Sequence, residues 1–181
     1  VMKDYKRVSF QDGSTTNYYT SAPWQTYTPY ICSLEIGNGI TNIGKYAFFN
    51  CVSLKAVTIP SSVASIGDYA FSNCFMLESV TGGGSLETIG VSSFNNTREL
   101  RTVQLSGSRL KSIGSDAFES AFNSSTMSTN QITLPSTLET IGSYAFAYSK
   151  LKSIVLPGSV KTIGSAAFSG SYIQDITLPA S

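Results

Sequence analysis

Ile43-Gly44-Lys45-Tyr46-Ala47-Phe48 and Ile66-Gly67-Asp68-Tyr69-Ala70-Phe71 are two copies of one hexapeptide, Ile-Gly-x-x-small-Phe. Four more copies run from Ile89 to Phe94, Ile113 to Phe118, Ile141 to Phe146 and Ile163 to Phe168. The isoleucines follow one another at intervals of 23, 23, 24, 28 and 22 residues. A period in the twenties, held over six copies, specifies a solenoid of stacked coils rather than one globular core.

Upstream of each hexapeptide the copies share apolar-x-x-apolar-x-apolar-Pro, as in Leu54-Lys55-Ala56-Val57-Thr58-Ile59-Pro60, with equivalents beginning at Leu77, Leu100, Leu151 and Ile173. Ile31-Cys32-Ser33-Leu34-Glu35-Ile36 fits one period earlier, and Ile132-Thr133-Leu134-Pro135 fits the fifth coil. Val57 and Ile59 alternate with Thr58, the period of a strand with one buried face. Pro60, Pro135, Pro157 and Pro179 lack the N–H a ladder needs and end their strands. A second apolar position follows at Val63, Leu86, Leu138 and Val160. The glycine after each isoleucine implies either a special backbone conformation or a close approach that a Cβ would hinder. The x-x-Ala-Phe stretch predicts one short helical turn, with Ala for close packing and Phe pointing in. One coil buries too little apolar surface to fold alone, so each coil must be stabilised by its neighbours, with the strands forming a parallel sheet along one side.

Charged residues make up 13% of the chain, about half the roughly 25% usual in soluble domains. Stacking explains this, because equivalent positions of successive coils lie about 4.8 Å apart and like charges in one column repel. A formal net charge of +1 gives no long-range field for nucleic acid or an anionic membrane. No apolar run approaches the roughly 18–20 residues that span a bilayer, and no signal peptide is recognisable. The chain opens at Val1 and stops shortly after a Leu-Pro strand ending, which reads as a piece of a longer protein. Cys32, Cys51 and Cys74 form no Cys-x-x-Cys pair and histidine is absent, which argues against zinc. Cys51 and Cys74 share one column; parallel side chains in register suit a disulfide poorly, and two small apolar thiols filling a turn is the reading preferred.

Leu-x-x-Ile-x-Leu-Pro-x-x-Val-x-x-Ile-Gly-x-x-Ala-Phe, spanning Leu151 to Phe168, resembles the BspA-type leucine-rich repeat. The resemblance covers residues 31–181 in about six to seven coils, and 1–30 is expected to be an N-terminal capping segment. It implies an α/β, right-handed leucine-rich-repeat solenoid, with a parallel β-sheet on the concave side and short helical turns on the convex side. It also implies a secreted or cell-surface setting and roles in adhesion and protein binding.

Three departures from the repeat stand out. Residues 1–30 hold no Ile-Gly copy but contain Trp24 with Tyr5, Tyr18, Tyr19, Tyr27 and Tyr30; they read as aromatic bulk over the end of the core, or as a platform for a glycan. The 28-residue interval places extra residues between Glu119 and Asn130, expected to bulge from the coil as a neutral insertion or a partner-binding loop. Gly82-Gly83-Gly84 stands where Ile-Pro or Leu-Pro is expected, and Gly82 replaces an inward side chain, so the space is expected to stay slack or to be filled by a neighbour, with local mobility there. Asn95-Asn96-Thr97 and Asn123-Ser124-Ser125 match a glycosylation tripeptide, to which no role is assigned.

No catalytic constellation is legible. Histidine is missing, the acidic residues are scattered, the glycine run lacks the Gly-Lys-Ser/Thr of a phosphate loop, and neither Cys51 nor Cys74 has an evident activating base. No cofactor or metal is expected. Binding surface is plentiful instead. Strand residues alternating with the core form the columns Glu35, Thr58, Thr81, Gln104, Thr133, Val155, Thr177 and Ser33, Ala56, Ser79, Thr102, Gln131, Ser153, Asp175. A third column, Lys55, Glu78 and Arg101, alternates in charge and should pair across strands. The candidate binding face comprises Glu35, Thr58, Thr81, Gln104, Thr133 and Thr177, with Tyr18, Tyr19 and Trp24 at the N-terminal end. The reading is a non-enzymatic, extracellular or cell-surface module that binds a host or bacterial surface protein or glycan. It involves no nucleic acid and no membrane insertion by this segment. The alternative is a structural spacer carrying another domain.

Overall fold

A computed structural model describes residues 7–10, 25–105, 109–123 and 131–178. Tyr18, Tyr19, Trp24 and the segment 124–130 lie outside the described residues, as does the side chain of Gln131. The coils stack as expected, and among the described residues every strand pairing is parallel.

The predicted strands form the first side of each coil: β2 (Ser33–Ile36), β4 (Ala56–Ile59), β6 (Ser79–Gly82), β8 (Thr102–Gln104), β10 (Gln131–Thr133), β12 (Ser153–Val155) and β14 (Asp175–Thr177). Ahead of them, β1 (Arg7–Phe10) pairs with β2, Val8 opposite Leu34 and Phe10 opposite Ile36, so the stretch 1–30 contributes a strand to this side. The four strands β4, β6, β8 and β10 form one continuous ladder; β2 and β12 lie beside its ends but ladder instead with β1 and β14.

A second side carries a ladder that period-2 reading did not reveal. Two-residue strands β3 (Asn42–Ile43), β5 (Ser65–Ile66), β7 (Thr88–Ile89), β9 (Ser112–Ile113), β11 (Thr140–Ile141) and β13 (Thr162–Ile163) form a six-stranded sheet. The repeated isoleucines are its rungs, Ile43 opposite Ile66, Ile66 opposite Ile89, and on to Ile163. The following glycine continues it: Gly67 N–H donates to the Ile43 carbonyl and Gly90 N–H to that of Ile66, both at 2.8 Å. Neither glycine has a positive φ. Close approach is therefore what the glycine serves: a Cβ on Gly67 would stand 2.7 Å from the Lys45 nitrogen.

The third side corrects the expected helical turns. Residues 45–50, 68–73, 91–96, 115–120, 143–148 and 165–170 are successive turns. Among the described residues the one helical element is a 3₁₀ segment, Gln25–Tyr30. In the second coil Tyr69 and Asn73 have φ of 56° and 60°, left-handed values that interrupt any α-helix. Alternate N–H groups then point in different directions. Those of Tyr69, Phe71 and Asn73 donate to Val91, Ser93 and Asn95 of the next coil at 2.8, 2.7 and 2.9 Å. Those of Ala70, Ser72 and Cys74 close tight turns onto Gly67, Tyr69 and Phe71 within the coil. A helical turn would direct its hydrogen bonds along its own axis. The left-handed residues turn half of them toward the neighbouring coil, so coil-to-coil bonding extends along the turn side as well.

Inside, the phenylalanines form one stack. Ring centroids of Phe48, Phe71, Phe94, Phe118, Phe146 and Phe168 are separated by 5.2, 5.2, 5.3, 5.3 and 5.6 Å, with neighbouring planes 3–19° apart. Ala70, Ser93, Ala117, Ala145 and Ala167 pack beside them, and Leu54, Leu77, Leu100 and Leu151 fill the strand side. Ile163 is 45% exposed, whereas Ile66, Ile89, Ile113 and Ile141 are buried, because the last described Ile rung is covered on one side only.

The structure details two of the departures. The residues after Phe118 do not leave the coil at once. Ser120 N–H donates to Ala147, Ala121 is buried, and Phe122, with φ of 58°, turns fully into the core at 6.1 Å from Phe118. The rest of the insertion, 124–130, lies outside the described residues. At Gly82 the chain passes tightly against its neighbour rather than leaving slack. Gly82 and Gly83 have φ of 92° and 75°, Gly83 N–H donates to the Ile59 carbonyl at 2.8 Å, and a Cβ on Gly82 would run into that same oxygen.

Candidate ligand-binding face

Because strand side chains alternate, the residues between Val57 and Ile59, Val80 and Gly82, and their equivalents must face away from the core. The register places Thr58 opposite Thr81, Thr81 opposite Gln104, and Gln104 opposite Thr133, with Val155 opposite Thr177 on the next strand pair. The second row follows: Ala56 opposite Ser79, Ser79 opposite Thr102, Thr102 opposite Gln131, and Ser153 opposite Asp175. Glu35, Thr58, Gln104, Thr133 and Thr177 are exposed and Thr81 is half-buried. The Thr58 and Thr81 hydroxyls are 3.4 Å apart, so one can donate to the other along the row.

In the third column Arg101 reaches Glu78 at 3.8 Å and Glu99 at 3.6 Å, an exposed arrangement worth little stability. A further alternating column, Glu87, Lys111, Glu139 and Lys161, runs beside the isoleucine ladder; aligning the copies two residues before each Ile would have exposed it. Lys111 lies 3.7 Å from Glu87 and Lys161 is 2.9 Å from Glu139. The hydrogen bond from Lys161, then its charge, holds the Glu139 carboxyl below the usual carboxylate range.

The face is uneven where the ladder is interrupted. Between β2 and β4 lies an open depression of about 440 Å³. Leu34, Ile36 and Pro60 give it an apolar lining, and Ser33, Glu35, Asn38 and Thr58 add polar groups. Two candidate residues, Glu35 and Thr58, thus share one concavity that sequence reading did not predict. Tyr18, Tyr19 and Trp24 are outside the described residues.

The turn side carries aromatic and amide pairs. Tyr46 stacks on Tyr69 at 4.9 Å, with the Lys45 ammonium 5.3 Å from the Tyr46 ring and 3.7 Å from Asp68. Asn96 donates to Asn73 at 2.9 Å, and Asn95 donates to Glu119 at 2.7 Å. In the tripeptide at Asn95, the Thr97 hydroxyl is buried on the Phe94 carbonyl at 2.7 Å.

Nucleophilic chemistry finds no support. No disulfide joins Cys32, Cys51 or Cys74. Burial first, and the neighbouring Cys51 second, push the Cys74 thiol well above its ordinary value, which keeps it protonated and unreactive. Among the described residues, no group of three or more His, Cys, Asp or Glu side chains converges as a metal site. No described helix is long and apolar enough to cross a membrane.

The sequence profile of the BspA type leucine-rich repeat region matches residues 26–127 and 119–181, in six copies. A leucine-rich cell surface protein from Faecalibacterium prausnitzii is similar over 95% of this chain and 49% of its own, with 27% identity and a TM-score of 0.71. The leucine-rich repeat protein of T. pallidum is 31% identical over 68% of this chain and 58% of its own, with a TM-score of 0.60. One from Bacteroides ovatus is 27% identical over 78% of this chain and 30% of its own, with a TM-score of 0.54. This chain thus spans between about a third and three-fifths of the length of these structures. Among curated proteins none matches it significantly. The repeat spacing, the stacked ladders and the profile match agree: the chain belongs to the BspA-type leucine-rich repeat family.

Proposed function

We propose that the chain is a non-enzymatic interaction module, displayed outside a bacterial cell, that holds a surface protein on the face formed by β2, β4, β6, β8 and β10. The observation carrying this reading is the depression between β2 and β4, where Glu35 and Thr58 flank an apolar floor at the end of a row of exposed hydroxyl and amide groups. Protein partners anchor a few side chains in such concavities and surround them with polar contacts. The likeness to a protein described as a leucine-rich cell surface protein supports the location.

The test is surface plasmon resonance of the chain against a panel of immobilised host matrix and cell-surface proteins, repeated with the combined variant Glu35→Ala, Thr58→Ala, Gln104→Ala and Thr133→Ala. A partner whose binding weakens about tenfold or more in the variant supports the proposal. A second reading, a stiff spacer, is favoured by the uninterrupted isoleucine ladder and phenylalanine stack that tie the coils lengthwise. Binding to none of the panel, or binding indifferent to the four substitutions, favours the spacer.

A further inference from the structure

We propose that the turn joining β2 to β3 is a self-modification site: the Gly39 backbone nitrogen attacks the Asn38 side-chain amide, and a neutral group lining the depression becomes a carboxylate. The chemistry stands apart from the reading given for the sheet face. Only its consequence for a partner rests on that reading.

The first observation is the turn itself. Ile40 N–H donates to the Gly37 carbonyl at 3.1 Å, with Asn38 and Gly39 at the two central positions. Both central residues are exposed, while Ile36 and Ile40 on either side are buried. Neither the Asn38 amide nor the Gly39 N–H has a hydrogen-bond partner among the described residues. The two groups the reaction joins are therefore both uncommitted and adjacent. Asn-Gly occurs once in the sequence, and glycine leaves the attacking nitrogen unshielded by a Cβ and its backbone free to rotate.

The second observation is that the other described asparagines are held. Asn42 donates to Thr41 and accepts from Ser65 at 2.6 Å. Asn96 donates to Asn73, Asn95 to Glu119, and Asn123 to the Ser120 carbonyl. Asn50 is exposed, but the nitrogen that would attack it belongs to buried Cys51 and donates to the Phe48 carbonyl at 3.2 Å. Asparagine is among the chemically labile side chains; here one copy is left open and the rest are tied.

The step balances without an oxidant or cofactor. The Gly39 nitrogen gives its proton to solvent base and bonds to the Asn38 side-chain carbonyl carbon, whose amide nitrogen leaves as ammonia. Water then opens the five-membered ring at either carbonyl, giving an aspartyl or an isoaspartyl residue. Both products carry a new carboxylate at a position that lines the depression with Glu35. The isoaspartyl product also adds one main-chain carbon. Ile36 and Ile40 clamp the turn at both ends, so the added length must widen it at the mouth of the depression. A partner seated there would meet a more acidic rim as the protein ages.

The experiment is tandem mass spectrometry of the chain, digested after native incubation at mildly alkaline pH. Methyl transfer from S-adenosylmethionine by an isoaspartyl methyltransferase reports the isoaspartyl product. Conversion at Asn38 should run about tenfold or more faster than at any other described asparagine. Gly39 has no positive φ, so Gly39→Ala enters without backbone strain and should slow conversion about tenfold. Asn38→Gln, whose attack would need a six-membered ring, should remove methyl acceptance at this turn. Equal conversion at Asn38 and the tied asparagines, an unchanged rate in Gly39→Ala, or conversion only after urea unfolding would each overturn the proposal. None of these readouts needs a partner, so failure of the face to bind one leaves them unaffected.

Discussion

Gly90 donates its N–H to the Ile66 carbonyl at 2.8 Å, and a Cβ on Gly90 would stand 2.7 Å from the backbone nitrogen of Asp68. The hydrogen bond and the close approach are one requirement, since the coils can meet at ladder distance only where this position has no side chain. Gly90→Ala should therefore cost about 2–3 kcal/mol, the upper range for single substitutions that introduce strain. Urea unfolding of wild type and variant checks this, and an unchanged midpoint would show that the coils can separate locally without loss.

Phe94 and Phe168 occupy the same repeat position but differ in cover. Phe94 is fully buried between Phe71 and Phe118, whereas Phe168 has a described ring on one side and is half-buried. Phe94→Ala should cost about 3–5 kcal/mol by leaving a cavity. Phe168→Ala should cost distinctly less. Denaturant unfolding of both, with Phe94→Leu as a milder comparison, measures the difference; equal losses would mean that stability is not distributed coil by coil.

Ser93 lies where the other coils place Ala70, Ala117, Ala145 and Ala167, and its buried hydroxyl has no hydrogen-bond partner among the described residues. Replacing it with alanine removes an unmet polar group and little volume. Ser93→Ala should raise stability by about 1 kcal/mol, read as a higher urea midpoint.

Cys74 sets an alkaline limit. Its Sγ donates to the Phe48 carbonyl at 3.3 Å, and burial raises its folded-state value above the ordinary 9.0. The unfolded chain ionises first, so the contribution is complete below about pH 9 and is lost as pH rises from there through the raised value. Stability should fall in that window, and less steeply in Cys74→Thr, whose hydroxyl can bond as that of Thr97 does to Phe94. Unfolding midpoints from pH 7 to 10.5 compare the two; parallel profiles would contradict the assignment.

The strand side was legible because Val57-Thr58-Ile59 states its own orientation, and equal spacing carries that orientation from coil to coil. The isoleucine ladder was not, since two residues such as Ser65 and Ile66 are too short to display a period. The turn misled for a physical reason. Ala70 and Phe71 point inward whether the segment is a helical turn or a run with left-handed residues, and Tyr69, Ser92 and Ala166 are not types that advertise positive φ. Phe122 was hidden because its column also holds Arg98 and Lys150, which gives no sign of an inward position. For the candidate face, sequence spacing placed Thr58, Thr81, Gln104 and Thr133 in one row. The depression beside Glu35 depends on where the ladder stops, a relation between coils that one coil's pattern does not contain.

The turn side of each coil bonds to the next as the isoleucine ladder does, even where the strand-side ladder is interrupted. Amide hydrogen exchange by NMR tests it directly in the second coil. The N–H groups of Tyr69, Phe71 and Asn73 cross to the third coil, so they should be protected as strongly as Gly90 in the isoleucine ladder. Tyr69 and Asn73 should also show the coupling constants of positive φ. Rapid exchange at these three amides, or helical φ at Tyr69 and Asn73, would contradict the stacked-ladder architecture.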